Sequence, residues 1–234
     1  MSSKIFSFVI LLLALGSFEN AFCQDKNFKV KLHAGVYTGK FLVTEKTYIN
    51  DTTYTYLSLV DDLDIMVGSD LYYNLFESTK VYSALSIFPF SPTANIRMGQ
   101  TLNTSTGSII VYDSWGTSYS FIRTNLAVGL SQRINEFIGI NAGIGLNFNI
   151  STKEPFIGDN PGKFYEIANA MVPIYKTVNS MYQLGASFKW KKFSLNGNYQ
   201  RTISNETKKF SIDTKSYSHQ SRLEYWTISI GYEF

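Results

Sequence analysis

His33 and His219 are the two histidines of the chain, the side chains whose ordinary titration lies nearest neutral pH. A serine hydrolase needs a serine, a histidine and a carboxylate gathered at one point. His219 lies in the run Ser216-Tyr217-Ser218-His219-Gln220-Ser221, followed by Glu224. In an extended chain neighbours alternate sides. Ser221 therefore shares the face of His219, whereas Ser218 and Glu224 take the other. That arrangement assembles no triad, and no catalytic residue is assigned. His33 stands beside Lys29 and Lys31, whose positive charge works against an imidazolium. Asp61-Asp62-x-Asp64 is the one carboxylate cluster. Calcium demands more oxygen ligands at loop spacing and usually a glycine to bend the chain, so no metal or cofactor site is assigned.

A larger polar set becomes coherent once the elements that must carry it are traced. What recurs along the chain is alternation, the period of a strand with two unlike faces. Phe28, Val30, Leu32, Ala34 and Val36 oppose Lys29, Lys31, His33, Gly35 and Tyr37. Leu63, Ile65, Val67, Leu71, Tyr73 and Leu75 oppose Asp64, Met66, Gly68, Asp70, Tyr72 and Asn74. The clearest case sets Ile138, Ile140, Ala142, Ile144, Leu146, Phe148 and Ile150 against Gly139, Asn141, Gly143, Gly145, Asn147 and Asn149. Similar segments cover 81–90, 118–134, 181–190, 193–204 and 221–234. That makes eight, and a tilted membrane-spanning strand needs ~9–11 residues.

The connections alternate too. Short ones sit near Glu77-Ser78-Thr79, Asn135-Glu136 and Lys191-Lys192, and long ones cover roughly 41–62, 91–117, 152–179 and 205–220. The prolines (Pro89, Pro92, Pro155, Pro161, Pro173) fall in or beside the long connections, where a missing N–H harms no ladder. Short turns on one side and long loops on the other describe an outer-membrane barrel. A soluble lipocalin-like barrel would turn its apolar faces inward. The glycines and asparagines of 139–149 cannot form an apolar core, so lipid belongs outside and polar side chains inside. The expected fold is all-β, an eight-stranded, antiparallel, up-and-down transmembrane barrel with both ends on the short-turn, periplasmic side. The β-rich stretches 41–62 and 106–112 keep ten strands open.

By parity the lumen receives Lys29, Lys31, His33, Asp64, Asp70, Arg123, Asn125, Arg133, Lys189 and Glu233. An eight-stranded barrel is just wide enough for side chains to fill. Charges of both signs confined there are expected to pair, because an isolated buried charge is costly. The expected role is a structural plug, with a proton or ion path as the sharper alternative. Tyr37, Tyr73, Tyr119, Tyr182, Trp190, Phe193 and Trp226 lie near strand ends and are candidates for the interfacial aromatic girdles, although Tyr37 carries inward parity.

Export is written at the N-terminus. Lys4 precedes an apolar run from Ile5 to Gly16, and Ala21-Phe22-Cys23 closes a signal peptide over 1–23. Twelve residues make a helix of about 18 Å, short of the hydrocarbon core. Cleavage would leave Gln24 first and remove Cys23. The alternative, a lipidated Cys23, is opposed by the bulk of Phe22. Residues 24–234 then form one barrel domain without cysteine. The formal charge of +3, from 21 basic and 18 acidic residues, is too small to imply nucleic acid. A 16% aromatic share is high, with Tyr and Phe carrying nearly all of it.

The last segment, SRLEYWTISIGYEF, resembles the final strand of an outer-membrane barrel. Tyr232 and Phe234 match the terminal aromatics read by the barrel-assembly machinery. Ser229 stands where that pattern has glycine, and a glycine occurs instead at Gly231. The eight-segment layout, the signal ending before a glutamine and the YEF terminus resemble the PorT-like outer-membrane β-barrel family of Bacteroidota. SYSFIRTNLAVGLSQRI and FIGINAGIGLNFNI are similar to its central hairpin. The resemblance implies outer-membrane localisation, contact with outer-membrane lipids and, for some members, an accessory role in protein secretion with other envelope proteins. In such a setting the glycosylation-type triplets at Asn50, Asn103 and Asn205 carry no message. The leading expectation is a non-enzymatic structural or interaction protein working through loops 91–117 and 152–179. The alternatives are a secretion accessory and a lipid-modifying enzyme.

Overall fold

The computed structural model describes residues 27–42, 45–59, 63–105, 107–157 and 164–234. The signal peptide expected at 1–23, Gln24, Asp61 and Asp62 lie outside the described residues. Eight strands close on themselves in the order β1 (Phe28–Phe41), β15 (Leu223–Glu233), β12 (Phe193–Thr202), β11 (Val178–Trp190), β9 (Ile138–Ser151), β8 (Phe121–Arg133), β5 (Thr79–Phe90) and β4 (Asp64–Asn74). Every neighbouring pair is antiparallel, and β1 closes the ring by pairing with both β15 and β4. Closure leaves no strand edge bare, a condition for backbone that lies in hydrocarbon.

Period two then sorts the side chains. On β9, Ile138, Ile140, Ile144, Leu146 and Ile150 point out and are exposed, whereas Asn147 and Asn149 point in and are buried. Trp226, Ile228 and Ile230 do the same on β15 opposite buried Tyr225, Thr227 and Ser229. Apolar side chains thus line the outside of the wall, which is stable only against lipid. The barrel spans a membrane. Trp190, Phe193 and Tyr73 are exposed at the short-turn end, where Phe28 meets Tyr73 at 4.9 Å and Phe193 meets Tyr232 at 5.2 Å. At the far end the outward face turns polar, with Lys40 Nζ 3.2 Å from Glu224 and the Tyr199 hydroxyl donating to Glu224 at 2.9 Å.

Two expected girdle residues are elsewhere. Tyr37 faces the lumen, where its hydroxyl donates to the Pro89 carbonyl. Tyr119 sits at the bend between two strands and donates to the Met171 carbonyl. Its ring is buried rather than presented to lipid.

The long connections are themselves largely folded. β2 (Thr47–Tyr48), β3 (Thr53–Leu59), β6 (Pro92–Thr104), β7 (Gly107–Ser118) and β10 (Phe156–Ile157) form a second sheet in the order β10-β7-β6-β3-β2. Within the β-rich stretches that kept ten strands open, the described strands after β1, over 47–48, 53–59 and 107–112, belong to this sheet and not to the barrel. β6 follows β5 after Ser91 alone, so barrel wall and exterior sheet are nearly continuous. α1 (Tyr165–Met171) and the hairpin β13 (Phe210–Ile212) and β14 (Lys215–Tyr217) complete a roof. The principal apolar core lies here, at the loop end. Phe41, Leu57, Phe88, Phe90, Ile96, Tyr119, Met171, Ile174 and Tyr175 pack in it. The molecule is inside out in its wall and conventional in its roof.

Candidate functional site

From the short-turn mouth upward, the lumen is filled in layers. At the mouth, Glu233 receives Lys29 Nζ at 2.9 Å and Lys189 Nζ at 2.7 Å. Lys189 is on β11, two strands from β15, so this pair reaches over β12. One level up, Lys31 lies beside Asp70 and Glu233 by register, because β1 pairs Lys31 with both. Its ammonium chooses Asp70 at 2.6 Å and also donates to Tyr72 at 2.9 Å and Asn196 at 3.1 Å. His33 Nε2 stands 3.4 Å from Asp70, an ion-pair distance without hydrogen-bond alignment. Its ring occupies the space left by Gly68, its register partner. A Cβ there would come within 2.6 Å of the imidazole.

Above the charges comes a neutral layer. Gln183 donates to the Tyr82 hydroxyl at 2.6 Å, and Asn125 donates to Gln200 at 2.9 Å and to the Tyr225 hydroxyl at 3.3 Å. The top layer is ionic again. Arg123 meets Glu206 through two nitrogens at 2.6 and 3.3 Å, and its Nε donates to Asn149 at 2.8 Å. Its guanidinium lies 3.6 Å from the centre of the Phe90 ring. Both partners of this pair are 0% exposed. A forked guanidinium–carboxylate contact with Nε also bonded is the geometry that can offset desolvation. The roof then closes the bore.

The parity set is therefore divided by the structure. Lys29, Lys31, His33, Asp70, Arg123, Asn125, Lys189 and Glu233 take part in lumen contacts. Asp64 faces the Tyr37 hydroxyl at 3.2 Å and makes no ion pair among the described residues. Arg133 does not join the network either. It is exposed at the end of its strand and donates to the Glu77 carbonyl at 3.2 Å, because its position on β8 lies at the open rim. Tyr232 and Phe234 stand on the same rim with ring centroids 4.9 Å apart.

Glu206 is the residue that strand parity could not find. It comes from the connection 203–222, not from the wall, and carries Arg123 below and Asn179 at 2.9 Å beside it. The only sequence signal was indirect. Arg123 needed a carboxylate, and the strand face around it offered none.

The candidate hydrolase residues have separate partners. His219 is 3.0 Å from Thr47 and 3.3 Å from Thr55 and stacks on Phe210. Ser221 bonds Thr207 at 2.7 Å, and Glu224 is held outside by Tyr199 and Lys40. Among the described residues no group of three or more His, Cys, Asp or Glu stands together as a metal site.

His219 instead ties one loop to another. Burial pushes its pKa down to about 4, whereas the opened loop titrates near 6.5. Between those values the opened form binds the proton and the closed form does not, so roof stability falls as pH falls from 6.5 towards 4. At pH 5 the closed roof is expected to lose about 2 kcal/mol relative to pH 7. Lower amide protection factors over 53–57 and 210–219 at pH 5 than at pH 7, a difference abolished in His219→Gln, are the expected result. Equal pH dependence in both proteins would remove the histidine from this role.

No family model matches the chain, and no curated relative matches it by sequence. Solved structures do resemble it. The attachment invasion locus protein Ail of Yersinia pestis, in complex with the heparin analogue sucrose octasulfate, is 11% identical with a TM-score of 0.45, over 89% of this chain and 99% of that one. The outer membrane protein OprG of Pseudomonas aeruginosa is 11% identical with a TM-score of 0.47, over 88% and 95%. Outer membrane protein W of E. coli is 15% identical with a TM-score of 0.40, over 88% and 97%. It is the closed ladder of this chain, rather than these likenesses, that makes it a barrel.

Proposed function

We propose that this chain is an outer-membrane barrel of the PorT-like kind its segments resemble, exported by the signal at 1–23 and inserted by the barrel-assembly machinery. It acts without catalysis, as a structural or interaction protein that meets envelope or secretion partners through its exterior loops. One observation carries this reading. The bore is filled by paired side chains and roofed by packed aromatics, while the loops build a five-stranded platform above the wall. Material does not pass; surface is presented.

The most prominent part of that surface is the end of the β6–β7 hairpin. β3 pairs with β6 only as far as Met98, so 99–104 of β6 and 107–112 of β7 extend past their neighbour as a ribbon. Leu102, Ile109, Ile110, Val111 and Tyr112 are exposed on it. Replacing 100–111 by a tight turn is expected to leave a heat-modifiable barrel at unchanged membrane level. Proteins that accompany the full-length barrel in mild detergent should be lost. Unchanged companions would overturn the interaction reading. So would lipid hydrolysis by the purified barrel that disappears in His219→Ala.

A further inference from the structure

We infer that the short-turn mouth of the barrel holds a binding site for a small phosphate-type anion. A cavity of about 80 Å³ opens there between the ends of β5, β8, β11 and β12, and Lys31, Lys80, Arg133, Lys189 and Glu233 contribute to its lining. A single water needs roughly 10–15 Å³ by the same measure, so an oxyanion with several oxygens can enter.

The charges around this space do not balance. Asp70 occupies Lys31, and the one carboxylate of Glu233 serves both Lys29 and Lys189. Lys80 and Arg133 remain. Among the described residues neither has a carboxylate within ion-pair distance. Lys80 has only the Tyr72 ring, 5.5 Å away, and Arg133 spends one nitrogen on a backbone carbonyl. Glu136 also borders the cavity, and Glu77 borders an adjoining cleft that Lys80 and Arg133 share. Both glutamates are exposed turn residues that screen the site without pairing with it.

Neutral donors complete the lining. Ser131, Ser187 and Ser194 offer hydroxyls, and Asn196 directs its amide nitrogen to Ser194 and Ser229. A guanidinium with one nitrogen on a backbone carbonyl and an ammonium with no carboxylate at ion-pair distance among the described residues suit an acceptor with oxygens on more than one side. Inorganic phosphate and the phosphate of a lipid headgroup both have that chemistry. A cation would meet the excess positive charge and is excluded.

The test uses the full mature barrel in a non-ionic detergent, titrated with sodium phosphate against sodium chloride at equal ionic strength. Amide resonances of 131–139 and 187–194 should shift saturably with phosphate alone. Lys80→Gln and Arg133→Gln should each weaken this binding about tenfold or more, and Lys40→Gln on the opposite rim should leave it unchanged. Arg133 is exposed, so its variant keeps the fold; heat modifiability verifies both. Native mass spectrometry of the barrel as extracted separates the sources. A retained phospholipid adduct that Arg133→Gln loses identifies a headgroup, and a bare chain that still binds added phosphate identifies the free ion. Equal shifts in phosphate and chloride, or unchanged affinity in both variants, would overturn the site.

Discussion

Replacing Arg123 with methionine lowers the unfolding midpoint of the barrel, with an expected loss of about 3–5 kcal/mol, and leaves it in the membrane. The size of the effect comes from what stays behind. Glu206 is wholly buried, and without the guanidinium its carboxylate keeps, among the described residues, only the Asn179 amide at 2.9 Å. A buried carboxylate with one neutral donor must either bear its desolvation or take up a proton, and both outcomes disfavour the closed roof. The companion variant separates a lost attraction from a stranded charge. Arg123→Met with Glu206→Leu removes both ions and should recover most of the loss, because a buried pair often contributes little against apolar side chains of similar volume. Denaturant unfolding in detergent micelles, followed by tryptophan fluorescence, reads all three proteins. A midpoint unchanged in Arg123→Met would mean that water reaches Glu206. A double variant as unstable as the single one would place the stabilisation in the Phe90 and Asn149 contacts instead.

That pair also shows where the sequence was and was not legible. The barrel wall could be read because lipid outside and side chains inside impose opposite demands on alternate residues. The face carrying Gly139, Asn141 and Asn147 admits no other arrangement. Parity assigns a face but no height and no partner. It placed Lys31, Asp70 and Glu233 together in the lumen, while the register of β1 sets Lys31 opposite both carboxylates and only the side-chain placement gives it Asp70. Arg133 has the right parity and the wrong height. Glu206 has neither, since a loop that folds back into the bore has no period to betray it. The exterior sheet was hidden for a related reason. Ile109-Ile110-Val111-Tyr112 is β-prone but does not alternate, and a two-stranded ribbon exposed on both sides imposes no sorting. Tyr37 and Tyr119 left the girdle because proximity to a strand end does not distinguish lipid from roof.

Gly129→Ala is expected to cost at least the upper part of the 1–3 kcal/mol range for overpacking, although an added methyl at a surface site is usually worth less than about 0.5 kcal/mol. Gly129 faces Gly143 across the β8–β9 ladder. A Cβ built at 129 would lie 2.1 Å from the Ala142 carbonyl oxygen and 2.6 Å from the Gly143 Cα. Both are backbone atoms, so no rotamer change can relieve the contact. In an open sheet β9 could slide away from β8. Here its other edge is bonded to β11 from Phe148 to Ile138, and any displacement must be passed around the closed ring. The entropic gain from replacing glycine, about 0.4–1 kcal/mol through the unfolded chain, acts in the opposite direction and is smaller. Gly197→Ala is the control, because a Cβ there meets nothing within 4 Å and that same entropic term should leave it neutral or slightly stabilised. Refolding yield in detergent, read as the heat-modifiable band, should fall for Gly129→Ala and hold for Gly197→Ala. Equal yields and equal midpoints would show that the wall can widen locally at β8–β9, and that the close approach there does not limit closure.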